Sequence, residues 1–261
     1  MIILTGSEGF IGRNFSKVLS NKPLLPIDKE DAYHFLYNFK EWDKVDLILH
    51  QGAISSTTEK DVKKLYAWNV EYTIDLFEIA ISFGIPVKYA SSASVYGDLQ
   101  GIPNPKNQYA MSKLTVDYWV QDNMDKFSLI QGFRYFNVYG DYEGRKGDQA
   151  SPVSKFSAQI KETGSLKLFE GSENFKRDFV CVDDLVEIVL NNDKPSGIYD
   201  LGTSNPISFK DVAESVAYLY NGAIEYVPFP EHLVGKYQTY TCAKPEWGDY
   251  KFKTVDEYLN G

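Results

Sequence analysis

Gly6, Gly9 and Gly12 recur at every third position, directly after the apolar run Ile2-Ile3-Leu4 and ahead of the mixed segment Arg13 to Asn21. That order reads as strand, tight turn and helix, and it points to an α/β fold built on a doubly wound parallel Rossmann sheet. The three glycines have separate tasks. Gly6 lets the backbone turn sharply off the strand, Gly9 admits a pyrophosphate where a Cβ would collide, and Gly12 lets the helix sit close on the sheet. The free N–H groups and positive dipole end of the helix would face the phosphates, so Gly6, Gly9, Phe10, Ile11 and Gly12 form the candidate dinucleotide cradle. A glycine-rich turn without a ligand is the plain alternative. Its place between an N-terminal strand and a helix argues against that alternative.

With 261 residues the chain can bury a sizeable core. The expected organisation is a dinucleotide-binding domain over 1–140 and 177–204, with a smaller substrate-binding lobe over 141–176 and 205–261. A hydrophobic content of 43% and a charged content of 24% are those of an ordinary globular protein. The 27 basic and 36 acidic side chains give a formal net charge of −9, which disfavours nucleic acid and anionic membrane as partners. An anionic small-molecule substrate would therefore need a local basic pocket. Cys181 and Cys242 show neither metal-ligand spacing nor a disulfide framework, so no metal is expected and both read as small buried hydrophobes. The absence of a basic n-region and of a membrane-length apolar run gives the expectation of a cytoplasmic protein.

Along the chain, 23–28 reads as a second strand ending at Asp28, where such folds place an acid that accepts from the adenosine ribose. Lys29 beside it would attract a 2′-phosphate instead, and a solvated Asp-Lys turn fits as well, so NAD and NADP both stay open at this point. A third strand, 45–50, leads into Gln51-Gly52-Ala53, whose small residues leave room for a cofactor to cross the sheet edge. The cap-forming run Ser55-Ser56-Thr57-Thr58-Glu59 opens a long crossover helix reaching Phe83, with Asn69 within reach of the cofactor site. Strands are also expected over 86–92, 128–134, 179–182 and 197–202, the last two returning to the main sheet. Helices are expected over 152–163 and 210–219. His34, His50 and His232 share no ligand spacing, so packing or solvent is the default for each.

The chemistry is carried by Ser92 at the end of the fourth strand and by Tyr109 and Lys113 on the helix that follows. Residues four apart share a helix face, so Tyr109 and Lys113 present their polar ends together. An ammonium near a phenol favours the phenolate, so Lys113 is expected to lower the tyrosine pKa towards that of a general base. Ser92 would hold the reacting oxygen by a hydrogen bond. Such a trio suits hydride transfer at a secondary alcohol. The Tyr-x-x-x-Lys spacing alone is common by chance, and it gains weight from the glycine loop and the serine-ended strand before it.

Taken with the motifs Arg134-Tyr135-Phe136-Asn137-Val138-Tyr139-Gly140 and Leu168-Phe169-Glu170-Gly171-Ser172-Glu173-Asn174-Phe175-Lys176-Arg177-Asp178-Phe179-Val180, the chain resembles the ADP-L-glycero-D-manno-heptose 6-epimerases. These are a branch of the extended short-chain dehydrogenases/reductases, for which the glycine spacing is also typical. The resemblance takes in Ser55-Ser56-Thr57-Thr58-Glu59, Glu143-Gly144-Arg145-Lys146-Gly147 and Ile224-Glu225-Tyr226-Val227-Pro228-Phe229-Pro230. It implies a homo-oligomer with bound NADP that oxidises C6 of an ADP-heptose to a ketone and re-reduces it from the other face, as in lipopolysaccharide precursor synthesis. It also implies that Tyr109 and Lys146 act as acid/base groups on opposite sides of the sugar. By the same matching Ser55, Val138 and Lys146 contact the cofactor, while Asn137, Phe169, Glu170, Gly171, Ser172, Arg177 and Tyr237 line the substrate site. Asp148 and Lys155, also matched to that site, stand where the family has a serine and a histidine, and the stretch between Asp28 and Val45 is shorter than the family's. A related sugar-nucleotide 4-epimerase and a catalytically silent nucleotide-binding protein are the alternatives. A dehydratase fits less well, because Ala93 and Ser94 follow Ser92 where that chemistry needs a carboxyl group.

Overall fold

A computed structural model describes residues 1–99, 101–231 and 238–261, with only the backbone described at Arg145 and Asp148. The chain divides into two compact units. The first holds Met1–Tyr96, Pro103–Tyr135 and Val186–Tyr199, and the second holds Gly97–Ile102, Phe136–Leu185 and Asp200–Gly261.

The first unit is built on β1 (Ile2–Thr5), β2 (Leu24–Ile27), β3 (Leu47–His50), β4 (Val87–Ser92) and β5 (Ile130–Tyr135). Together with the strand Gly197–Leu201 they form a six-stranded sheet, in the order Gly197–Leu201, β5, β4, β3, β1, β2. Pairing from β2 through β1, β3 and β4 to β5 is parallel throughout, the arrangement expected from the glycine loop. Strands covered on both faces favour continuous apolar runs; β3 follows that rule in Ile48 and Leu49, while β4 sets the buried Lys88 and Ser91 among Val87, Tyr89 and Ala90. In β5 the rule bends further. All six of its residues are buried, Gln131 and Arg134 included, so their polar groups must find partners inside. Gly132 faces Tyr89 across the ladder, and a Cβ there would lie 2.4 Å from the Tyr89 hydroxyl.

The connecting helices in this unit are α1 (Phe10–Val18), α2 (Ala32–Asn38), α3 (Val62–Tyr66), α4 (Tyr72–Phe83) and α5 (Gln108–Asn123). The single crossover helix expected up to Phe83 is interrupted. A π-helical turn over Ala67–Glu71 separates α3 from α4, and α4 stops at Gly84, whose φ of 66° is the left-handed conformation glycine adopts freely. α5 begins on Asn107, whose side chain accepts from Ala110 N.

The second unit contains β6 (Asn137–Tyr139), β7 (Ser165–Phe169), β8 (Lys176–Arg177) and β9 (Phe179–Cys181), followed by β10 (the sheet strand Gly197–Leu201, which straddles the boundary), β11 (Ile207–Ser208) and β12 (Ala223–Val227). β6 pairs with β9 and β7 with β12, both parallel, and β8 pairs with β11 antiparallel. The strand expected over 179–182 does not return to the main sheet. It ladders with β6, Asn137 against Phe179 and Tyr139 against Cys181, which draws 136–140 and 177–185 into the second unit rather than the first. Residues 200–204 also fall in the second unit. α6 (Pro152–Thr163) packs on α8 (Phe209–Tyr220), while α7 (Val182–Asn191) runs across the boundary and α9 (Val255–Asn260) packs against α8. The core of this unit gathers Tyr139, Val153, Phe156, Leu166, Phe179, Cys181, Val212 and Val216. Among the described residues no helix is long and apolar enough to cross a membrane.

Candidate active site

The glycine loop owes its shape to the next loop across the sheet. Gly6 has φ 69°, and a Cβ on it would lie 2.6 Å from both Cα and N of Gly52. At Gly12 a Cβ would lie 2.0 Å from the Gly6 carbonyl oxygen, so α1 starts hard against the loop, as expected. The Gly52 N–H donates to Thr5 Oγ1 at 3.1 Å, so Gly52 also takes part in a contact between two loops. Below this contact the Thr5 hydroxyl also meets His50 Nδ1 at 2.7 Å, and His50 Nε2 meets Thr73 Oγ1 at 2.9 Å. Burial, with the Lys113 charge adding to it, pushes the His50 pKa down to about 3, so the ring is neutral packing.

α1 opens at Gly9 with no side-chain cap and no acidic residue in its first turn, which leaves its N–H groups and dipole to an anion. Phe10 and Ile11, half-buried, form the start of that turn. Asp28 follows β2 and is fixed by the loop, its Oδ2 accepting from Glu8 N at 2.7 Å and its Oδ1 from Lys29 N at 2.7 Å. The Lys29 ammonium lies over the Trp68 ring, 5.7 Å from its centroid. Gln51 Oε1 accepts from Tyr135 OH at 3.0 Å. Its Nε2 is buried without a partner, and so is Ser94 Oγ. Buried polar atoms are nearly always bonded, so these two mark bonding capacity that a polar ligand would fill. Ala53 and Ser55 are exposed in the segment after β3.

Asn69 has partners within the protein on both ends of its amide. Its Oδ1 accepts from Ile54 N at 2.8 Å, and its Nδ2 donates to Ile54 O at 3.0 Å and to Ser112 Oγ at 3.0 Å. The amide is committed to the protein. From the π-helical turn it ties the loop after β3 to the first turns of α5.

Ser92, Tyr109 and Lys113 come together as their spacing suggested. Ser92 ends β4, and its hydroxyl is hydrogen-bonded to Tyr109 and accepts from Ser94 N at 3.2 Å. The Lys113 ammonium is buried and donates to Ala90 O at 2.8 Å. The electrostatics depart from expectation. Burial raises the Tyr109 pKa, and the hydrogen bond from Ser92 is what draws it back. Burial also lowers Lys113 to about 8, against the pull of Asp117. The lysine is committed to a main-chain carbonyl, so the expected lysine-driven lowering of the phenol is not what sets the pKa of Tyr109 here.

In the second unit, Lys146 is half-buried on the turns Glu143–Gln149, and burial lowers its pKa against the opposing charge of Glu143. Glu143 is buried and accepts from Ser151 N and, at 2.8 Å, from Ser151 Oγ. Burial raises its pKa while the Ser151 bonds and Lys146 oppose the rise. Asn137 accepts from Thr241 Oγ1 at 3.3 Å, and Val138 lies half-buried in β6. Lys155 is half-buried on α6. Phe169 and Glu170 are exposed at the end of β7, Gly171 turns the chain with φ 80°, and the buried Ser172 hydroxyl donates to Phe169 O at 2.5 Å. The buried Arg177 guanidinium donates to the carbonyls of Lys176, at 3.0 Å, and of Gln238, and lies over the Phe209 ring. Its hydrogen bonds thus build the unit. The Asp148 side chain, Tyr237 and His232 fall outside the described residues.

Sequence reasoning missed Tyr135, Glu143 and Asp117. Asp117 carried a signal in its spacing, one further step of four residues beyond Tyr109 and Lys113, and Tyr135 and Glu143 stand inside two of the motifs quoted above.

A crystal structure of ADP-L-glycero-D-manno-heptose-6-epimerase from Helicobacter pylori is similar over 99% of this chain and 94% of that one, with a TM-score of 0.84 and 26% identity. UDP-glucose 4-epimerases from Thermotoga maritima, at 18% identity and TM-score 0.84, and from Thermus thermophilus in complex with NAD, at 21% and 0.82, share the fold. They match over 99% of this chain and 96% and 97% of their own. Residues 2–202, which carry the glycine cradle and the Ser-Tyr-Lys trio, match the sequence model of one family, and the chain belongs to it: the NAD dependent epimerase/dehydratase family.

Proposed function

We propose that the protein is a nucleotide-sugar epimerase that inverts C6 of an ADP-glycero-manno-heptose by transient oxidation to a ketone and re-reduction. The observation that carries this reading is the convergence of Ser92, Tyr109 and Lys113 at the C-terminal end of β4, in the unit that also holds the glycine cradle. Likeness to the Helicobacter pylori heptose epimerase and the Phe169–Ser172 motif support the choice of sugar. A nicotinamide dinucleotide, when bound, supplies the acceptor and return of hydride. Ser92 holds the reacting hydroxyl oxygen and Tyr109 takes its proton, while Lys113, one helical turn on, supplies positive charge on the same face of α5. Burial raises the Tyr109 pKa, and the hydrogen bond from Ser92 favours the phenolate. Inversion also needs a proton-transfer group for the opposite orientation of the alcohol. The resemblance puts Lys146 in that role, and partial burial, which lowers its pKa, is in keeping with it.

The resemblance points to NADP, whereas Asp28 favours NAD. Two main-chain N–H groups hold that carboxylate at the position that meets the adenosine ribose, where it accepts from a 2′-hydroxyl and repels a 2′-phosphate. Calorimetric titration with each cofactor decides between them. Tighter binding of NADP would show that Lys29 outweighs Asp28.

The substrate test is incubation with ADP-D-glycero-D-manno-heptose and assignment of C6 by NMR, with UDP-glucose as the comparison. Inversion at C4 of UDP-glucose without turnover of the heptose would replace the heptose reading by a 4-epimerase. Tyr109→Phe and Lys146→Met should each lower epimerisation by at least roughly a hundredfold with cofactor binding retained. A normal rate in Lys146→Met would remove Lys146 from the mechanism.

A further inference from the structure

α5 carries a third polar residue on the face that presents the reactive pair. Asp117 follows Lys113 by the interval at which Lys113 follows Tyr109, so all three lie along one stripe of the helix. Asp117 is fully buried. Its Oδ1 accepts from Tyr89 OH at 3.0 Å, and its Oδ2 accepts from Ser91 Oγ at 3.0 Å and Arg134 Nε at 2.9 Å. Arg134 Nη1 continues to Tyr96 OH at 2.8 Å, with the guanidinium 5.1 Å from the centre of that ring. Three donors from β4 and β5 thus fix the carboxylate on the side chain's only two oxygens.

The Lys113 ammonium has a neutral partner, the Ala90 carbonyl. A buried ammonium bonded to a neutral group keeps most of its desolvation cost, and the residue shifts towards the neutral amine unless a counter-charge is near. On its own helix Lys113 has Tyr109 and Asp117 one turn to either side, and its charge acts on His50 of β3, while Tyr89 on β4, Tyr96 on the turn after it and Arg134 on β5 gather around Asp117. His50 is neutral, and the π-helical turn brings Asn69, which does not titrate. Asp117 is the anion in this set. It pairs with Arg134 at 2.9 Å, and its charge favours the Lys113 ammonium against burial.

We infer that Asp117, clamped by Tyr89, Ser91 and Arg134, is a positioning residue for Lys113, its carboxylate holding the lysine in the ammonium form that the reaction at Tyr109 requires. The inference rests on the oxidoreductive reading of the Ser92–Tyr109–Lys113 trio. It also accounts for a charged pair in a core where apolar residues of the same volume would be no less stable.

The test reads Lys113 directly, by NMR titration of lysine-labelled protein without cofactor, with Lys113→Met to assign the signal. The wild-type ammonium should titrate near 8. Asp117→Asn should move it down by about one unit or more, and Asp117→Glu should bring it most of the way back. A titration unchanged to within a few tenths in Asp117→Asn overturns the inference. Should Asp117→Asn fail to fold, the double variant Asp117→Leu/Arg134→Met, which replaces the buried ion pair by apolar side chains, takes its place. Lys113 should again titrate lower than in the wild type, and no fall overturns the inference. In turnover, the alkaline limb of the kcat/KM profile should move with the titration, whereas a merely structural role would scale the profile without displacing it. Displaced titrations in a protein that turns over no nucleotide sugar would refute the oxidoreductive reading and leave the electrostatic link standing.

Discussion

Among the described residues each unit holds one aspartate with no exposure, and the two are satisfied in opposite ways. Asp117 in the first unit accepts from side chains, Tyr89, Ser91 and Arg134. Asp178 in the second accepts from Thr203 N and Thr203 Oγ1, both at 2.7 Å, on Oδ1, and from Ser204 N at 2.9 Å and Ala243 N at 2.8 Å on Oδ2. A carboxylate that collects main-chain N–H groups fixes loops, because those donors have no other rotamer to adopt. One that collects side chains can hand its charge to neighbours that titrate. Burial pushes the Asp117 carboxyl up, and Arg134 with the hydroxyl bonds pulls it back, so its environment is electrically poised in a way that suits a reactive helix. Asp178 staples three stretches of the second unit, among them Ser204, held at a φ of 60° that few non-glycine residues adopt.

The largest expected effect follows from that staple. Asp178→Ala leaves three main-chain N–H groups without the acceptor they share, two of them part-buried and one buried, so a loss of about 2–3 kcal/mol is expected in urea unfolding. Asp178→Asn should lose less. Its amide can face Thr203, whose hydroxyl can turn to accept, so one N–H is orphaned instead of three. If Asp117→Asn cost as much stability as Asp178→Ala, the contrast would collapse and Asp117 would be structural as well.

His50 sharpens the comparison through pH. Its pKa of about 3 in the folded chain lies below the ordinary 6.5, so between those values the unfolded chain binds a proton that the folded one does not. Stability is therefore fully present above about 6.5 and falls as the pH drops towards 3. The slope corresponds to about 2 kcal/mol lost between pH 7 and pH 5. His50→Gln, which keeps a donor and an acceptor for Thr5 and Thr73, should flatten that slope when urea midpoints are compared at the two pH values. An unchanged slope would place the acid sensitivity elsewhere.

The residues that announced the fold were those whose job is local. The glycine loop, the serine-ended strand and the Tyr109–Lys113 step are short-range patterns, and the sheet and the trio follow from them. What escaped depended on partners far along the chain. Nothing beside Gly52 says that its neighbour is Gly6, and nothing near Asn69 says that its amide will hold Ile54 and Ser112. Phe179-Val180-Cys181 has the composition of a buried parallel strand, and only the pairing with β6 separates it from the main sheet. Nothing near Asp117 on its helix or Arg134 in its strand says that Tyr89, Ser91 and the ring of Tyr96 will enclose them.

The smallest expected effects concern two helix caps, one in each unit. Asn107 caps α5 by accepting from Ala110 N at 2.9 Å, and Ser208 caps α8 by accepting from Asp211 N at 3.0 Å while Asp211 accepts in return from Ser208 N at 2.8 Å. Replacing either cap by alanine should cost about 1 kcal/mol of stability, since each substitution orphans one first-turn donor. Turnover should separate them. Tyr109 sits in the first turn of α5, so fraying after Asn107→Ala displaces the phenol from Ser92 and should lower kcat by roughly tenfold, because reacting groups must be held within a fraction of an ångström. Ser208→Ala frays a helix that carries none of the trio, and kcat should stay within about twofold once the protein is folded. The comparison requires unfolding midpoints for both variants beside their rates. Equal rate losses at equal stability losses would mean that turnover follows global stability, and the start of α5 would lose its special standing as the support of the reactive tyrosine.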